Sequence, residues 1–295
     1  MSLTVEAYAK LNLTLEVLSQ RPDGYHEVAT VLQTISPADR LSFRPAGQLR
    51  LECSEPSLEN EDNLVLQAAL LLKEETGTTR GAAIVLEKGI PIASGLGGGS
   101  SDAAATLWAL TQLWELPLGE IQLCSLAARI GSDVPFFLVG GTALARGRGE
   151  QVTPLPPVAE SWFLLVRPKL DIPQKTATLY GLLNKQHWTR GQATQQLVDA
   201  LTAGKPLHEA YLSNVFDAVA PDAYPIISQW RRRLLEAVPS RPHLAGAGPS
   251  LYIPVDSESQ GPQVLQRLAQ HEGADFFVVH TVPYAREVSP VSETT

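Results

Sequence analysis

The sequence predicts an α+β fold in two domains, and three observations carry that reading. The first is strict alternation near the N-terminus. Val5, Ala7, Ala9, Leu11, Leu13, Leu15 and Val17 are apolar, while Glu6, Tyr8, Lys10, Asn12, Thr14 and Glu16 between them are polar or amphipathic. The second is a glycine-rich run, Gly95 to Asp102, that opens into a long apolar segment. The third is a succession of alternating strand-like and helix-like stretches beyond the proline-rich segment Thr153-Pro154-Leu155-Pro156-Pro157. That segment is the predicted linker. It divides the 295 residues into domains of 1–155 and 156–295, in line with roughly 150 residues per domain.

Period two over residues 5–17 is the pattern of a half-buried strand, with Lys10 and Asn12 side by side on the face away from the core. Arg21-Pro22-Asp23-Gly24 supplies a turn, and Tyr25-His26-Glu27-Val28 starts the returning strand of a hairpin. Residues 61–76 read as a capped helix closed by Gly77, and Ala82 to Leu86 as a short strand. Ala103 to Leu116 is apolar on nearly every face, which predicts a helix buried in the domain centre. Leu123 to Arg129 and Val134 to Leu138 are further helical stretches, separated by a Gly-Ser-Asp break. Beyond the linker, strands are predicted at 162–166, 251–255 and 276–280. Helices are predicted at 175–184, 192–202, 226–237 and 260–272, and the Ser/Thr-rich tail after Glu287 is expected to be loose.

Composition removes several function classes. With 44% apolar and 18% charged residues the chain is globular rather than disordered. Its net charge of -8, with no basic cluster beyond Arg231-Arg232-Arg233, argues against a duplex nucleic-acid binder. Cys53 and Cys124 cannot form a disulfide framework or a cysteine-ligated zinc site, and the six histidines show no close pair. No stretch approaches the ~20 uninterrupted apolar residues of a membrane helix. The N-terminal stretch lacks a basic region ahead of an apolar run, so the expected compartment is the cytoplasm.

The run Gly95-Leu96-Gly97-Gly98-Gly99-Ser100-Ser101-Asp102 has the chemistry of an anion cradle. Glycines let backbone N–H groups approach a phosphate, and the helix start adds further donors and the positive end of its dipole. Ser100 and Ser101 can donate to phosphate oxygens or ligate Mg²⁺. A Walker loop needs a Lys before the Ser/Thr, which is missing here. The dinucleotide fingerprint needs Gly where the chain has Ser100, and no protein-kinase HRD or DFG set follows.

Other residues carry two readings each. Asp133 precedes a helix with proline in its first turn. It is either a plain N-cap or a carboxylate kept ionised to take a proton from an acceptor hydroxyl. Lys10 is either a solvated strand residue or the cation that offsets charge on a moving phosphoryl group. Tyr25 and His26 are either surface residues beside a turn, or a base stack with an edge reader. Ala245-Gly246-Ala247-Gly248-Pro249-Ser250 is either a tight bend or a second wall of the phosphate site.

Together the Lys10 strand, the run Pro91 to Ala104 and the Gly246–Ser250 turn resemble the three motifs of the GHMP kinases, a superfamily of small-molecule kinases. Within it, Ala9 to Val28 and Ile130 to Glu150 are similar to the branch that acts on 4-diphosphocytidyl-2-C-methyl-D-erythritol, and the likeness spans nearly the whole chain. The resemblance implies an N-terminal domain like ribosomal protein S5 domain 2 and a ferredoxin-like C-terminal α/β sandwich. It implies transfer of the γ-phosphoryl of ATP, with Mg²⁺, to the acceptor's 2-hydroxyl in the non-mevalonate isoprenoid route. Lys10 and Asp133 take the catalytic positions. The ATP site falls on Pro91, Ile92, Ala93, Ser94, Gly95, Leu96, Gly97, Gly98, Gly99, Ser100 and Ser101, with Asn63 and Lys88 near the adenosine and Ser101 a candidate Mg²⁺ contact. Asn12 falls on the methylerythritol moiety, and Tyr25, His26, Thr176 and Tyr180 on the cytosine pocket, although relatives carry Ser-Thr where this chain has Lys175-Thr176. Expected partners are small molecules only, for a monomer or weak homodimer. Two alternatives remain: another GHMP kinase, acting on mevalonate phosphate or homoserine, and a non-catalytic ATP-binding module.

Overall fold

In the computed structural model, which describes residues 2–170, 172–268 and 271–290, the N-terminal alternation folds into the long strand β1 (Leu3–Gln20). It returns as β2 (His26–Ala46) through a turn in which Gly24 sits at φ +86 and Asp23 Oδ1 accepts from the Tyr25 amide at 3.1 Å. Then come β3 (Arg50–Cys53), α1 (Leu64–Thr76), β4 (Gly81–Glu87), α2 (Gly98–Leu113), α3 (Glu120–Ile130) and α4 (Val134–Val139). Strands β5 (Thr142–Gly147) and β6 (Gln151–Pro154) follow, in a glycine-rich stretch where the sequence pattern showed no strand. The second half holds β7 (Trp162–Pro168), α5 (Lys175–Leu182), α6 (Gln192–Thr202), β8 (Ser213–Asn214), α7 (Ala220–Ala223) and α8 (Pro225–Ala237). It ends with β9 (His243–Leu244), β10 (Leu251–Val255), α9 (Gln260–Leu268), β11 (Ala274–His280) and β12 (Arg286–Pro290).

The first sheet runs β12-β1-β2-β4-β3, with β5 on β2, β6 on β5 and β8 on β1. Its apolar face packs under α1 to α4, around the Ala-rich helix α2. That helix begins at Gly98, five residues before the predicted start, so the glycine run is its first turn. Asn63 caps α1 by accepting from the Val65 amide at 2.9 Å, and Gly77 closes it in the left-handed region. The second sheet runs β11-β7-β10-β9, antiparallel throughout. One face packs against α8 and α9 through Leu164, Val166, Ile227, Trp230, Leu234, Val264 and Leu268.

Two expectations are corrected here. Lys10 and Asn12 do not point into solvent: both are buried, as are Thr14 and Glu16. Across the register shift between Tyr8 and Ala9, the apolar residues of β1 change layers. Leu3, Val5 and Ala7 pack among the helices, whereas Ala9, Leu11 and Leu13 pack with Phe163, Leu165 and Tyr252 of the second sheet. Irregularities of this kind re-aim side chains, and here Lys10 and Asn12 come against the glycine loop. Burial of the remaining polar face is tolerable because its atoms are paired. Glu16 accepts from the Thr189 hydroxyl and the Thr194 amide, each at 2.7 Å, and the Asn12 carbonyl accepts from Tyr252 Oη at 2.8 Å.

The second correction concerns the C-terminus. Residues 288–290 are not loose. They pair with Val5, Thr4 and Leu3 as the edge strand β12 of the first sheet, while 291–295 lie outside the described residues. Strands β8 and β12 therefore bring the second half of the chain into the first sheet, which a cut at residue 155 separates from it. Residues 269–270 of the predicted 260–272 helix also lie outside the described residues. No helix among the described residues is long and apolar enough to cross a membrane.

Candidate active site

The glycine loop is shaped by close approach. A Cβ on Gly95, at φ +87, would stand 2.1 Å from the Ala245 carbonyl, and one on Gly97, at φ +79, would stand 2.8 Å from the Phe137 ring. The loop thus lies backbone to backbone on the 245–250 turn, where the Ser250 amide donates to Ser94 O at 3.3 Å. No side chain caps α2, so its mouth is left for an anion to approach.

A cleft of about 1070 Å³ opens on one side of this loop and a cavity of about 360 Å³ on the other. Ala93, Gly95, Gly97 and Ser100 line both. Lys10, Asn12, Tyr25, His26, Asp133, Thr176 and Tyr180 line the larger. Asn63, Lys88, Pro91, Ile92, Ser94, Gly98 and Gly99 line the smaller. Leu96 is buried, and its carbonyl accepts from the Lys10 amide at 2.9 Å, which ties β1 to the loop.

Lys10 Nζ lies 3.4 Å from Asp133 Oδ2, and the two side chains differ sharply in exposure, 4% against 38%. Nζ also donates to Asn12 Oδ1 at 2.7 Å, and Asn12 Nδ2 donates to the Thr30 hydroxyl at 2.9 Å. Asp133 occupies the N-cap position of α4, but its side chain makes no capping hydrogen bond. Its carboxylate instead faces the cleft beside the ammonium, so the plain capping role does not describe it.

At the far end of the cleft the His26 ring is stacked on Tyr180 at 4.9 Å, and Tyr180 meets Phe216 edge-on. Tyr25 is 53% exposed and lies under the Arg148 guanidinium, 4.7 Å from the ring centre. Burial holds the His26 imidazole below its ordinary pKa, so the ring is neutral at pH 7 with one donor and one acceptor nitrogen. Burial also pushes the Tyr180 phenol up, and the Asp133 charge adds to this.

Arg148 and Lys175 also line the cleft; sequence reasoning gave Arg148 no role and named Lys175 only as a departure from relatives. Arg148 sits between two glycines in a stretch read only as glycine-rich. Lys175 begins α5, and its ammonium donates to the carbonyls of Ala93 and Gly248, pinning both glycine turns.

Three of the predicted contact residues also have partners within the protein. The Ser101 hydroxyl is buried and donates to the Tyr8 carbonyl at 2.8 Å. The Asn63 amide is taken up by the Val65 amide and the Leu58 carbonyl. The Lys88 ammonium is held between Asp39 and Asp102. Among the described residues no group of three or more His, Cys, Asp or Glu is placed to hold a metal.

A glycine cradle at the mouth of a buried helix, with a lysine and a carboxylate across it, defines a GHMP kinase; residues 63–141 match the GHMP kinases N terminal domain. The chain is 40% identical to 4-diphosphocytidyl-2-C-methyl-D-erythritol kinase of Dehalococcoides mccartyi, over 95% of this chain and 98% of that protein. It is 38% identical to the kinase of the same name from Gloeobacter violaceus, over 95% and 94%. A crystal structure of 4-(cytidine 5'-diphospho)-2C-methyl-D-erythritol kinase superimposes with a TM-score of 0.78 at 31% identity, covering 94% of this chain and 98% of the other. Homoserine kinase from Cytophaga hutchinsonii shares the fold, with a TM-score of 0.76 at 20% identity over 98% and 97%. The chain belongs to the 4-diphosphocytidyl-2-C-methyl-D-erythritol kinase family and is an ATP-using small-molecule phosphotransferase.

Proposed function

We propose that the protein moves the γ-phosphoryl of ATP to the 2-hydroxyl of 4-diphosphocytidyl-2-C-methyl-D-erythritol, a step of the non-mevalonate isoprenoid route, using Lys10 and Asp133. The observation that carries this reading is the Lys10–Asp133 pair, 3.4 Å apart, beside the loop that both cavities share. A donor in the smaller cavity and an acceptor in the larger meet at that loop. The bond between the γ-phosphorus and the bridging oxygen of ADP breaks as the acceptor oxygen bonds to phosphorus. The hydroxyl proton passes to Asp133, which also orients the oxygen. Lys10 neutralises charge on the entering oxygen and on the moving phosphoryl group. Phosphoryl transfer needs alignment and charge neutralisation more than covalent help.

The nucleotide is taken as its Mg²⁺ complex. Pro91 to Ser100 cradle the triphosphate, with Leu96 acting through its backbone and Asn63 at the edge of the adenosine pocket. Asn12, fixed by Lys10 and Thr30, meets the methylerythritol moiety. The cytosine takes the site bounded by Tyr25, His26, Thr176 and Tyr180, displacing the His26–Tyr180 stack or adding to it. A neutral His26 offers the donor and acceptor that the base edge requires. We further assign residues 1–155, completed by β12, to a domain like ribosomal protein S5 domain 2. Residues 156–285 form a ferredoxin-like domain, a reading supported by the succession β7, helices, β9, β10, α9, β11 and the sheet order β11-β7-β10-β9. Small polar phosphates as substrates fit a cytoplasmic enzyme.

The test is ADP release by the purified protein with each acceptor in turn. Turnover with the cytidine diphosphate acceptor, and none with mevalonate phosphate or homoserine, is the expected result. Turnover with either of the others in preference would assign the chain another acceptor.

A further inference from the structure

Behind the glycine loop lies a cluster that the reaction as described does not use. The Lys88 ammonium donates to Asp39 Oδ2 and, at 2.7 Å, to Asp102 Oδ2. All three side chains are buried, at 7%, 0% and 3% exposure. Asp39 is fully hydrogen-bonded: its second oxygen accepts from the Gly89 and Ile90 amides at 2.7 and 2.8 Å. Asp102 is not, because its Oδ1 is buried without a hydrogen-bond partner.

The positions of these residues matter. Gly89 and Ile90 lead into the loop from β4, and Asp102 lies on α2 just after it. Asp39 comes from β2, and its Oδ2 is close enough to Gly98 that a Cβ there would stand 3.2 Å away. One buried ammonium therefore ties the entry and the exit of the loop to the sheet. Two ionised carboxylates on that ammonium would leave a negative charge in excess, in the buried wall of the smaller cavity beneath a cradle for a polyanion. Buried charge without compensation is costly, and an orphaned carboxylate oxygen adds to the cost.

We propose that Asp39, Lys88 and Asp102 are positioning residues for ATP, hanging both ends of the glycine loop from one ammonium, and that Asp102 does so as the neutral acid. This rests on the reading of the loop as the ATP site, and it replaces Lys88 as an adenosine contact. Burial pushes the Asp102 carboxyl up to about 8, with the Lys88 charge opposing and the Asp39 charge adding. Lys88 itself is held in the charged form: burial works against the charge, and the Asp102 and Asp39 carboxylates outweigh it. The other titratable groups near the cluster among the described residues are Cys53 on β3, whose thiol burial pushes up, and Glu6 on β1, whose carboxyl burial also pushes up. Arrival of the triphosphate raises the energy of an anionic Asp102 further. ATP binding then takes up a proton wherever Asp102 is ionised in the free protein, and affinity falls as pH rises through that range.

The experiment is calorimetric titration of the full chain with MgATP from pH 7 to 9, without acceptor, so that the outcome is independent of the acceptor's identity. Terminal phosphate ionisation, near pH ~6, is largely complete over this range. In the wild type the Kd for ATP is expected to rise about tenfold from pH 7 to 9. Asp102→Asn keeps a neutral side chain of the same shape and is expected to remove that rise. Asp102→Leu cuts the tie and is expected to raise the Kd at every pH, while the KM for the acceptor stays within about twofold. A flat wild-type profile, or an Asp102→Asn variant with the wild-type slope, would overturn the proposal. So would an Asp102→Leu variant that weakens both substrates equally. Should Asp102→Leu fail to fold, the comparison of wild type with Asp102→Asn decides alone.

Discussion

Two buried lysines flank the same glycine loop, and they are built for opposite purposes. Among the described residues Lys10 has one carboxylate partner, Asp133, which is partly open to the large cleft. Lys88 has two, Asp39 and Asp102, both closed off from solvent. An ammonium whose only anionic partner faces a substrate cavity can trade that partner for a phosphoryl oxygen. An ammonium enclosed by two interior carboxyl groups cannot, because leaving them would strand the Asp39 charge and unpair buried oxygens of both. The difference teaches that burial of a lysine near a phosphate cradle does not by itself mark chemistry. What marks it is where the counter-charge points.

The comparison is broken most directly by removing the open lysine. Lys10→Met is expected to lower kcat by about 10³, with the ATP Kd, read by calorimetry, moving far less than kcat. A variant that loses ATP affinity and kcat in the same proportion would make Lys10 a binding residue like Lys88 and erase the distinction. A smaller effect is expected at the other end of the cleft. Tyr25→Ala should raise the acceptor KM about tenfold by removing an aromatic wall and leave the KM for ATP unchanged, as initial-rate kinetics will show. Equal changes in both would remove Tyr25 from the base site.

The smallest effect is in pH. His26 is held below its ordinary pKa by burial, so it is neutral at pH 7 and gains a proton only below the range of a free histidine. Protonation removes its acceptor nitrogen. The acceptor KM should therefore be flat above pH ~6.5 and rise only on the acid side, a limb that His26→Ala should abolish. A rise beginning above that pH would contradict a neutral, partly buried ring.

Much of this was legible in the residues themselves, and the rest was hidden for identifiable reasons. The alternation at residues 5–17 and the glycines at 95–99 announce a strand and a loop of close backbone approach, because both depend on local periodicity and backbone freedom. That Lys10 faces the loop was not legible, since the outer face of β1 is covered by Glu16 contacts to Thr189 and Thr194, far along the chain. The pairing of Val288 with Val5 is equally non-local: a short polar tail carries no pattern that says it completes a sheet. Ser101 and Lys88 look like ligand contacts in a motif. The fold gives them protein partners as well, Tyr8 in one case and Asp39 and Asp102 in the other. Such partners are fixed by packing, which sequence spacing does not encode. Arg148 carried only the faint signal of a cation between two turn glycines.

The central claim is that the open pair performs the transfer, and its most direct test is single-turnover phosphoryl transfer by Asp133→Asn with both substrates saturating. The account predicts a rate lower by about 10² or more, with ATP affinity as in the parent protein. A folded Asp133→Asn variant that transfers phosphoryl at the parent rate would contradict it.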